Sequence, residues 1–450
     1  MKNTLFYFAA FFLAFQFQSA TQGFSQTLLG AQIDNRAGIK GLTLNPANVI
    51  NPRLKAEIHI FSGSGYVGND YIGINLGKIE EISNFRSLQE NSSLNPQPDN
   101  NFVGNLDLMG PGFQLNLSPK HSIALTTRMR TFFNLNNIGG EFLESISNQE
   151  GESNSYELLM QDLSGIFHLW GEIGLTYGRV IIDQENYSIR GAATLKYLGG
   201  AGGAVGSSSV LGALYLERPN TLTTRGDFQY GYSSSFDIEN VTFNDLRSGF
   251  GMDVGFIFEL DDDTDRAYMD GYKFKAGISV MDIGGIKYDE FSLWNYDMDN
   301  TLSLDEFDEN NFQDILEENY VSTRTDRATN LGMPTSLQIF ADYAITNRFY
   351  VSAHGSLSIR NHQEIPVSQI VNNVMITPRM ETGWFSVYSP ISYRQYEGAI
   401  AWGVGFRLGP VTIGSASILT NLLSKNSRSI DAYFGAQVPI YRKGTRKNQN

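Results

Sequence analysis

The sequence predicts an all-β fold: a transmembrane antiparallel β-barrel of about fourteen strands, with sixteen as the alternative. Three observations predict it. Segments of about ten residues alternate apolar and polar side chains along the chain, and many carry charges on the polar side. An apolar N-terminal stretch marks the chain for export. Mean hydropathy is −0.22, which argues against a bundle of membrane helices. That value suits a barrel, where only alternate residues meet lipid. Residues 54–60 show the pattern. Leu54, Ala56, Ile58 and Ile60 share one face, and Lys55, Glu57 and His59 share the other, because successive strand side chains point to opposite sides. A soluble sandwich would turn the apolar face inward. Around a closed sheet, the same pattern puts lipid outside and polar groups within.

Residues 1–25 read as a signal peptide. Lys2 is its basic start, residues 5–15 its apolar core, and Gly23-Phe24-Ser25 precede a cut before Gln26; a cut after Ala20 is the alternative. The apolar run is shorter than the roughly 20 residues that span a bilayer. Residues 26–53 do not alternate and form a separate N-terminal segment, which a family resemblance carried by residues 44–48 implies to be a hatch or plug. Residues 54–441 form the barrel with long acidic loops, and 442–450 are a basic tail. The net charge of −14 makes nucleic acid a poor partner. With Cys 0 there is no disulfide framework, thiol nucleophile or cysteine metal site.

The strands follow in order. Ile72, Ile74 and Leu76 share a face, as do Phe113, Leu115 and Leu117. Ile123, Leu125, Thr127 and Met129 oppose Ala124, Thr126, Arg128 and Arg130. Ile173, Leu175 and Tyr177 oppose Glu172 and Thr176. Ile189, Ala193, Leu195 and Tyr197 oppose Arg190, Thr194 and Lys196. Phe274, Ala276 and Ile278 oppose Lys275 and Ser279. Val351, Ala353, Leu357 and Ile359 oppose Ser352, His354 and Arg360. Ile400, Trp402, Val404, Phe406 and Leu408 oppose Glu397 and Arg407. Tyr66, Tyr71, Phe132, Phe133, Trp170, Tyr187, Phe349, Tyr350, Trp384 and Tyr388 lie near run ends, where aromatic girdles belong. Tight turns fall at 118–120, 183–186, 346–348 and 409–410. Long loops fall at roughly 79–101, 134–164, 199–226 and 286–333. With the N-terminus in the periplasm, one long loop lies on the wrong side. A further strand within 207–217 or 100–108 would correct this.

Arg128, Arg130, Glu172, Arg190, Lys196, His354, Arg360, Glu397 and Arg407 point into the lumen on this pattern. They either select a solute and hold the plug, or form an ion-pair network that fills the barrel, since buried charges need partners. The sharpest local motif is residues 295–306, which match a twelve-residue calcium loop. Its oxygen ligands would be Asn295, Asp297, Asp299, the carbonyl of Thr301, Ser303 and Glu306. Asn295 replaces the usual Asp and Asn300 the usual Gly. The alternative is a solvated acidic loop. Asp261, Asp262, Asp263 and Asp265 read as a plain acidic turn. The glycine-rich 199–206 lacks the Lys-Ser/Thr of a phosphate loop and reads as a flexible loop. The five histidines show no metal spacing, and no nucleophile elbow is present, so the chain is expected not to be an enzyme.

Three stretches carry a family resemblance. Leu44-Asn45-Pro46-Ala47-Asn48 resembles the Asn-Pro-Ala signature of long-chain fatty-acid transporter barrels of the FadL type. Residues 110–113 with 127–130, and residues 407–415, are similar to a Bacteroidota family of outer-membrane barrels of unknown function. That family is distantly similar to FadL and to the PorV barrel of gliding-associated secretion. The resemblance implies a plugged lumen, with Asn45, Pro46 and Ala47 in the hatch, and implies no catalytic residues. One departure is the tail after Tyr441, since barrel chains usually end on an aromatic residue read by the barrel-assembly machinery.

The first expected function is an outer-membrane channel or transporter for hydrophobic or amphipathic solutes. The second is a structural barrel that holds a surface or secretion partner without transport. The third is a surface receptor or adhesin stabilised by calcium at 295–306. Beyond calcium no cofactor is expected, and outer-membrane lipid is the expected surrounding.

Overall fold

The structure is a computed structural model that describes residues 30–77, 87, 91–147, 155–234, 246–260, 272–303, 312–360 and 367–442. Fourteen antiparallel strands close into a barrel. In chain order they are β1 (Leu54–Asn69), β2 (Asn100–Met109 with Gly112–Asn116), β3 (His121–Ile138), β4 (Tyr156–Asp183) and β5 (Tyr187–Leu216). Then come β6 (Thr221–Ser233 with Arg247–Leu260), β7 (Phe274–Asp297 with Asn300–Ser303), β8 (Val321–Gly332 with Ser336–Ala344), β9 (Phe349–Ser358) and β10 (Asn373–Glu381). The last four are β11 (Phe385–Tyr388 with Ile391–Arg394), β12 (Ile400–Trp402 with Val404–Leu408), β13 (Val411–Ser415) and β14 (Ser429–Tyr441). Each strand pairs with its sequence neighbours. The seam closes where Leu54 pairs with Tyr441 and Ile58 with Val438. Closure leaves no open edge around the ring. Among the described residues no helix is long and apolar enough to cross a membrane.

Both ends of the barrel chain lie at one end of the ring, called here the near end. The turns at 118–120, 184–186, 346–348, 382–384 and 409–410 are also there. The opposite, far end carries the longer connections, including the helices Gly140–Ser147, Phe312–Asn319 and Ile418–Leu423. Asn100–Met109 is strand, but it is the first half of β2, whose second half holds the run at 113–117, so it adds no crossing. The side of the long loop is corrected because Ile72–Ile74, expected as a wall strand, is not one. Much of 199–226 and 286–303 is strand rather than loop. β5 runs for 30 residues and β7 for 24, against 5 for β13, so the rim is high on one side and low on the other. Ile72–Ile74 pairs with Ser92–Leu94 in a small separate sheet and is not part of the wall.

Alternation sets the two faces. Ile58, Ile173, Leu175, Ile278, Ile376 and Ile413 lie on the outside and are exposed, forming an apolar outer wall. Glu57, His59, Thr126, Arg130, Glu172, Lys196 and Arg407 turn inward and are buried. A register shift between Leu54 and Ala56 reverses the first pair. Leu54 is therefore buried and Lys55 exposed, opposite to strict alternation. The aromatic girdle also needs correction. Tyr187, Phe349 and Trp384 are exposed, but Tyr66, Tyr71, Phe132, Phe133, Trp170, Tyr350 and Tyr388 are buried.

Leu195 is 64% exposed on the outer wall. Leu195→Arg should lower stability by about 2–4 kcal/mol, as a charge facing lipid near the midplane does. Urea unfolding in lipid vesicles checks this; an unchanged midpoint would mean that this face does not meet lipid.

Candidate functional site

The site is the lumen, built in three layers. The first is the plug, residues 30–53, which enters the near end as three short 3-10 turns: Ala31–Ile33, Gly38–Thr43 and Pro46–Val49. Asn45 caps the third turn, its side chain accepting from Ala47 N at 2.9 Å, and Pro46 takes the first position. The Asn45 amide also donates to the carbonyls of Phe256 (3.1 Å) and Ile278 (3.0 Å), on β6 and β7. Gly255 and Gly277 permit that approach, because a Cβ on Gly255 would lie 2.3 Å from the Asn45 oxygen. Ile39, Ala47 and Val49 are fully buried against the wall.

Polar contacts join the plug to many strands. Asp34 accepts from Arg407 Nε at 2.9 Å and from the Tyr388 hydroxyl. Lys40 Nζ donates to Thr412 at 2.6 Å, and Ile39 N donates to Glu57 at 2.9 Å. Gln114 donates to the Val49 carbonyl at 2.7 Å, and Arg190 to the Ile50 carbonyl at 2.9 Å. Burial alone would raise the Asp34 pKa, but Arg407 beside it holds the carboxyl well below its usual range. Burial pushes Lys40 down to about 8, opposed by Glu57 and Asp34.

The second layer is ionic and runs along the inner wall from β2 to β7. Arg128 pairs with Asp107 and, at 2.9 Å, with Glu172. Arg130 pairs with Asp282 at 2.8 Å. Lys196 lies 2.7 Å from Asp253 and 2.6 Å from Asp282. All seven side chains are at most 7% exposed. Two separate groups tie β8 to β10 and β11 to β14. Arg379 pairs with Asp342 (2.6 Å) and Glu381 (2.5 Å), and Arg394 pairs with Glu397 (3.0 Å) and Asp431 (3.3 Å).

The third layer, toward the far end, is apolar. Phe132, Trp170, Leu198, Ile286, Phe291 and Leu331 are among its buried members. Arg130 joins the two layers, its guanidinium 5.2 Å from both the Phe132 and Trp170 ring centres. Residues 199–206 are not a flexible loop; they lie within β5. Their glycines make room for this layer, since a Cβ on Gly200 would lie 2.4 Å from the Tyr288 hydroxyl.

The nine inward-facing candidates divide among these groups. Arg128, Arg130, Glu172 and Lys196 share the ionic layer. Arg407 and Arg190 hold the plug, and Arg190 also pairs with Glu259. Glu397 pairs with Arg394 and accepts from Tyr66 at 3.1 Å. Arg360 donates to Thr335 (3.0 Å) and to the Gly284 carbonyl (3.1 Å). His354 sits apart, 2.9 Å from Gln338 in a neutral cluster.

Sequence reasoning missed Asp107, Asp253, Asp282, Asp342, Arg379 and Asp431. A register shift between Met252 and Val254 disguises Asp253. Asp282 sits at a left-handed φ of 58° that breaks the two-residue rhythm. Pro378 made the run around Arg379 look unlike a strand.

The calcium motif takes a different shape from the one expected. Asn295 and Asp297 lie in β7, and Thr301 and Ser303 lie in its extension, paired with Thr223 and Thr221. Asn295 accepts from Gln229 at 2.5 Å and Asp299 from Gly226 N at 2.9 Å. Asn300, standing where the loop needs Gly, is itself part of the strand. Glu306 and the 261–265 acidic cluster lie outside the described residues, as do the signal peptide and all but Arg442 of the tail. Among the described residues no group of three His, Asp or Glu side chains is placed to hold a metal.

Fold and lumen together define a closed, ion-paired antiparallel β-barrel with residues 30–53 packed against its inner wall. The chain belongs to a family described as "Family of unknown function (DUF5723)", whose profile matches residues 46–416. No curated protein matches it. Solved structures similar in outline include the Pseudomonas putida toluene transporter TodX, at 11% identity over 92% of this chain and 98% of that chain, TM-score 0.41. The Ralstonia pickettii toluene transporter TbuX matches at 9% identity over 90% and 94%, TM-score 0.42. A Pseudomonas aeruginosa FadL homologue matches at 10% identity over 92% and 97%, TM-score 0.40.

Asp282→Ala should lower stability by about 3–5 kcal/mol, because it leaves Arg130 and Lys196 buried with a partner missing. Urea titration of the folded barrel checks this. A loss below about 1 kcal/mol would mean that water already screens the layer.

Proposed function

We propose that this chain is an outer-membrane barrel that passes hydrophobic or amphipathic solutes, and that it is closed in the state described here. The carrying observation is the apolar far half of the lumen, lined by Phe132, Trp170, Leu198, Ile286, Phe291 and Leu331. An aqueous pore is lined by polar groups; an apolar lining favours apolar solutes. The plug would have to move for passage. Its contacts with the wall run through side chains or single carbonyls, with no strand ladder, so they can be released singly. Outer-membrane lipid would cover the apolar wall, and Tyr441, the last residue of β14, would be the residue read by the assembly machinery.

A second reading is favoured by the ionic layer. Arg130–Asp282 reaches from β3 to β7, while Arg128–Glu172 and Lys196–Asp253 tie neighbouring strands, so the layer braces the inner wall. A barrel braced in this way could instead hold a surface or secretion partner.

Planar-bilayer recording and uptake of a hydrophobic fluorescent dye into proteoliposomes separate the two. The transport reading expects no steady ionic conductance from the parent, with dye uptake faster than in protein-free vesicles. Dye uptake equal to protein-free vesicles would sink transport and leave the partner role. Steady conductance in the parent would show an open aqueous lumen and sink both readings. Asp34→Ala removes the acceptor for Arg407 and Tyr388, so it should loosen the plug and speed dye uptake over the parent.

The latch should also be acid-resistant. A carboxyl held low when folded contributes stability above its ordinary pKa of 3.8 and loses it only as pH falls below that value. The parent should therefore stay closed from pH 7 to about pH 4. Opening near pH 6 would show that Asp34 is not the controlling group.

A further inference from the structure

Above the closed ring, the raised part of the wall ends on an exposed strand margin. β7 runs unbroken from Phe274 to Asp297, and β8 lies beside it in two stretches. Ser336 to Tyr343 pair with β7 inside the ring, from Met281 back to Phe274. Val321 to Arg327 pair with it beyond the ring, from Asp297 back to Phe291. On the other side of β8, among the described residues, backbone pairing with β9 begins at Thr335. There Ile359 N donates to the Thr335 carbonyl at 3.1 Å, and Ser336 pairs with Ser358. The eight residues Val321 to Ala328 are all exposed, so the margin stands clear on both faces, and Val321 is 79% exposed. Such a margin offers a row of N–H and C=O groups to another strand, and charges commonly guard it. Here the charges have both signs. Arg324 and Asp326 lie two residues apart on one face, 3.0 Å from each other, with side chains 56% and 59% exposed.

We infer that this margin docks a second copy of the chain, residues 321–328 pairing antiparallel with the same residues of that copy about a two-fold axis at Thr325. Symmetry and charge fix the register. A two-fold axis between identical antiparallel strands sets one residue opposite itself, and the residues on either side of it opposite each other. With Thr325 on the axis, Arg324 faces Asp326 of the second copy, and Asp326 faces its Arg324. Two opposite-charge pairs form, and no like charges oppose each other, because Thr323 faces Arg327 and Ser322 faces Ala328. With Arg324, Asp326 or Arg327 on the axis, a charge would face its own kind. With Thr323 on the axis, Arg324 would face Ser322 and Asp326 would face Tyr320, and no ion pair would form. Antiparallel pairing also inverts one copy. Residues 321–327 continue the line of the wall, so the two barrels meet far end to far end. Barrels in one bilayer stand the same way up, so the pairing joins copies in two facing bilayers; this last step rests on the membrane reading above, and the pairing itself does not.

The test uses the full chain folded in detergent, with heat-modifiable migration as the check of folding and light scattering as the measure of mass. The parent should form a dimer that dissociates on dilution. Arg324→Asp makes both facing positions acidic, and Asp326→Arg makes both basic, so each variant alone should dimerise about tenfold more weakly. An equimolar mixture of the two sets acid against base again and should restore the dimer. Thr325→Cys, in a chain that otherwise has no cysteine, should cross-link to its copy under mild oxidation, and Val321→Cys should not. Vesicles carrying one charge variant should cluster with vesicles carrying the other, and neither with its own kind. A parent that stays monomeric, or a dimer that both charge variants leave unchanged, would overturn the proposal. Dimers in detergent without clustering of loaded vesicles would overturn the facing-bilayer arrangement, whereas failure of the chain to insert into vesicles would instead sink the membrane reading.

Discussion

A closed sheet with an apolar outside forces every inward polar group to find its partner within the ring. Around this barrel the inward positions carry Glu57, Asp107, Arg128, Arg130, Glu172, Lys196, Asp253, Asp282, Arg379 and Arg407. None can reach bulk water without leaving the wall, and an unpaired buried charge costs several kcal/mol. The lumen answers this requirement twice. The middle answers it with side chains alone, three cations set against four carboxylates. The near end answers it by drawing the chain's own N-terminal segment inside. The plug is therefore part of the core. Asp34 gives Arg407 its counter-charge, Ile39 N donates to one oxygen of Glu57, and Ala47 and Val49 fill the space between.

The same accounting says which parts can move. Opening the ionic layer would separate several charges at once, each left without a partner. The plug is held by bonds that each contribute roughly 1 kcal/mol net when neutral, and somewhat more when charged. They can also exchange partners one at a time. The rigid element is thus the middle of the barrel, and the displaceable element lies at its near end.

The rhythm of two made most of the wall legible, because a residue's parity decides whether it faces lipid or lumen. It identified Arg128, Arg130, Glu172 and Lys196 as inward, and these four meet in one layer. It failed wherever the backbone inserts or drops a residue. The shift after Leu54 exchanged that residue with Lys55, the left-handed Asp282 hid an ionic partner, and Pro111 and Pro378 masked strands. The aromatic positions misled for another reason. A large ring near a strand end fits an interface girdle or a lumen layer equally well, and only closure of the barrel shows which side Trp170 and Tyr388 take. Of the 295–306 motif, residues 295–297 and 300–303 are strand paired with β6, a pairing that spacing along the sequence does not reveal.

The vertical order of the lumen bears on the kind of solute the transport reading can accept. From the far end, a solute would first meet aromatic and aliphatic side chains, and immediately below them the guanidinium of Arg130 against Trp170 and Phe132. A pure hydrocarbon would gain nothing from that second contact and would still have to displace ion pairs. A molecule with an apolar body and an anionic end could leave its body among Phe291 and Leu331 while its charge replaced a carboxylate beside Arg130 or Lys196. Exchange of one anion for another keeps the cations paired throughout, so it avoids the large cost of exposing a buried charge. Within the transport reading, the order of the layers thus favours amphipathic anions over neutral hydrocarbons.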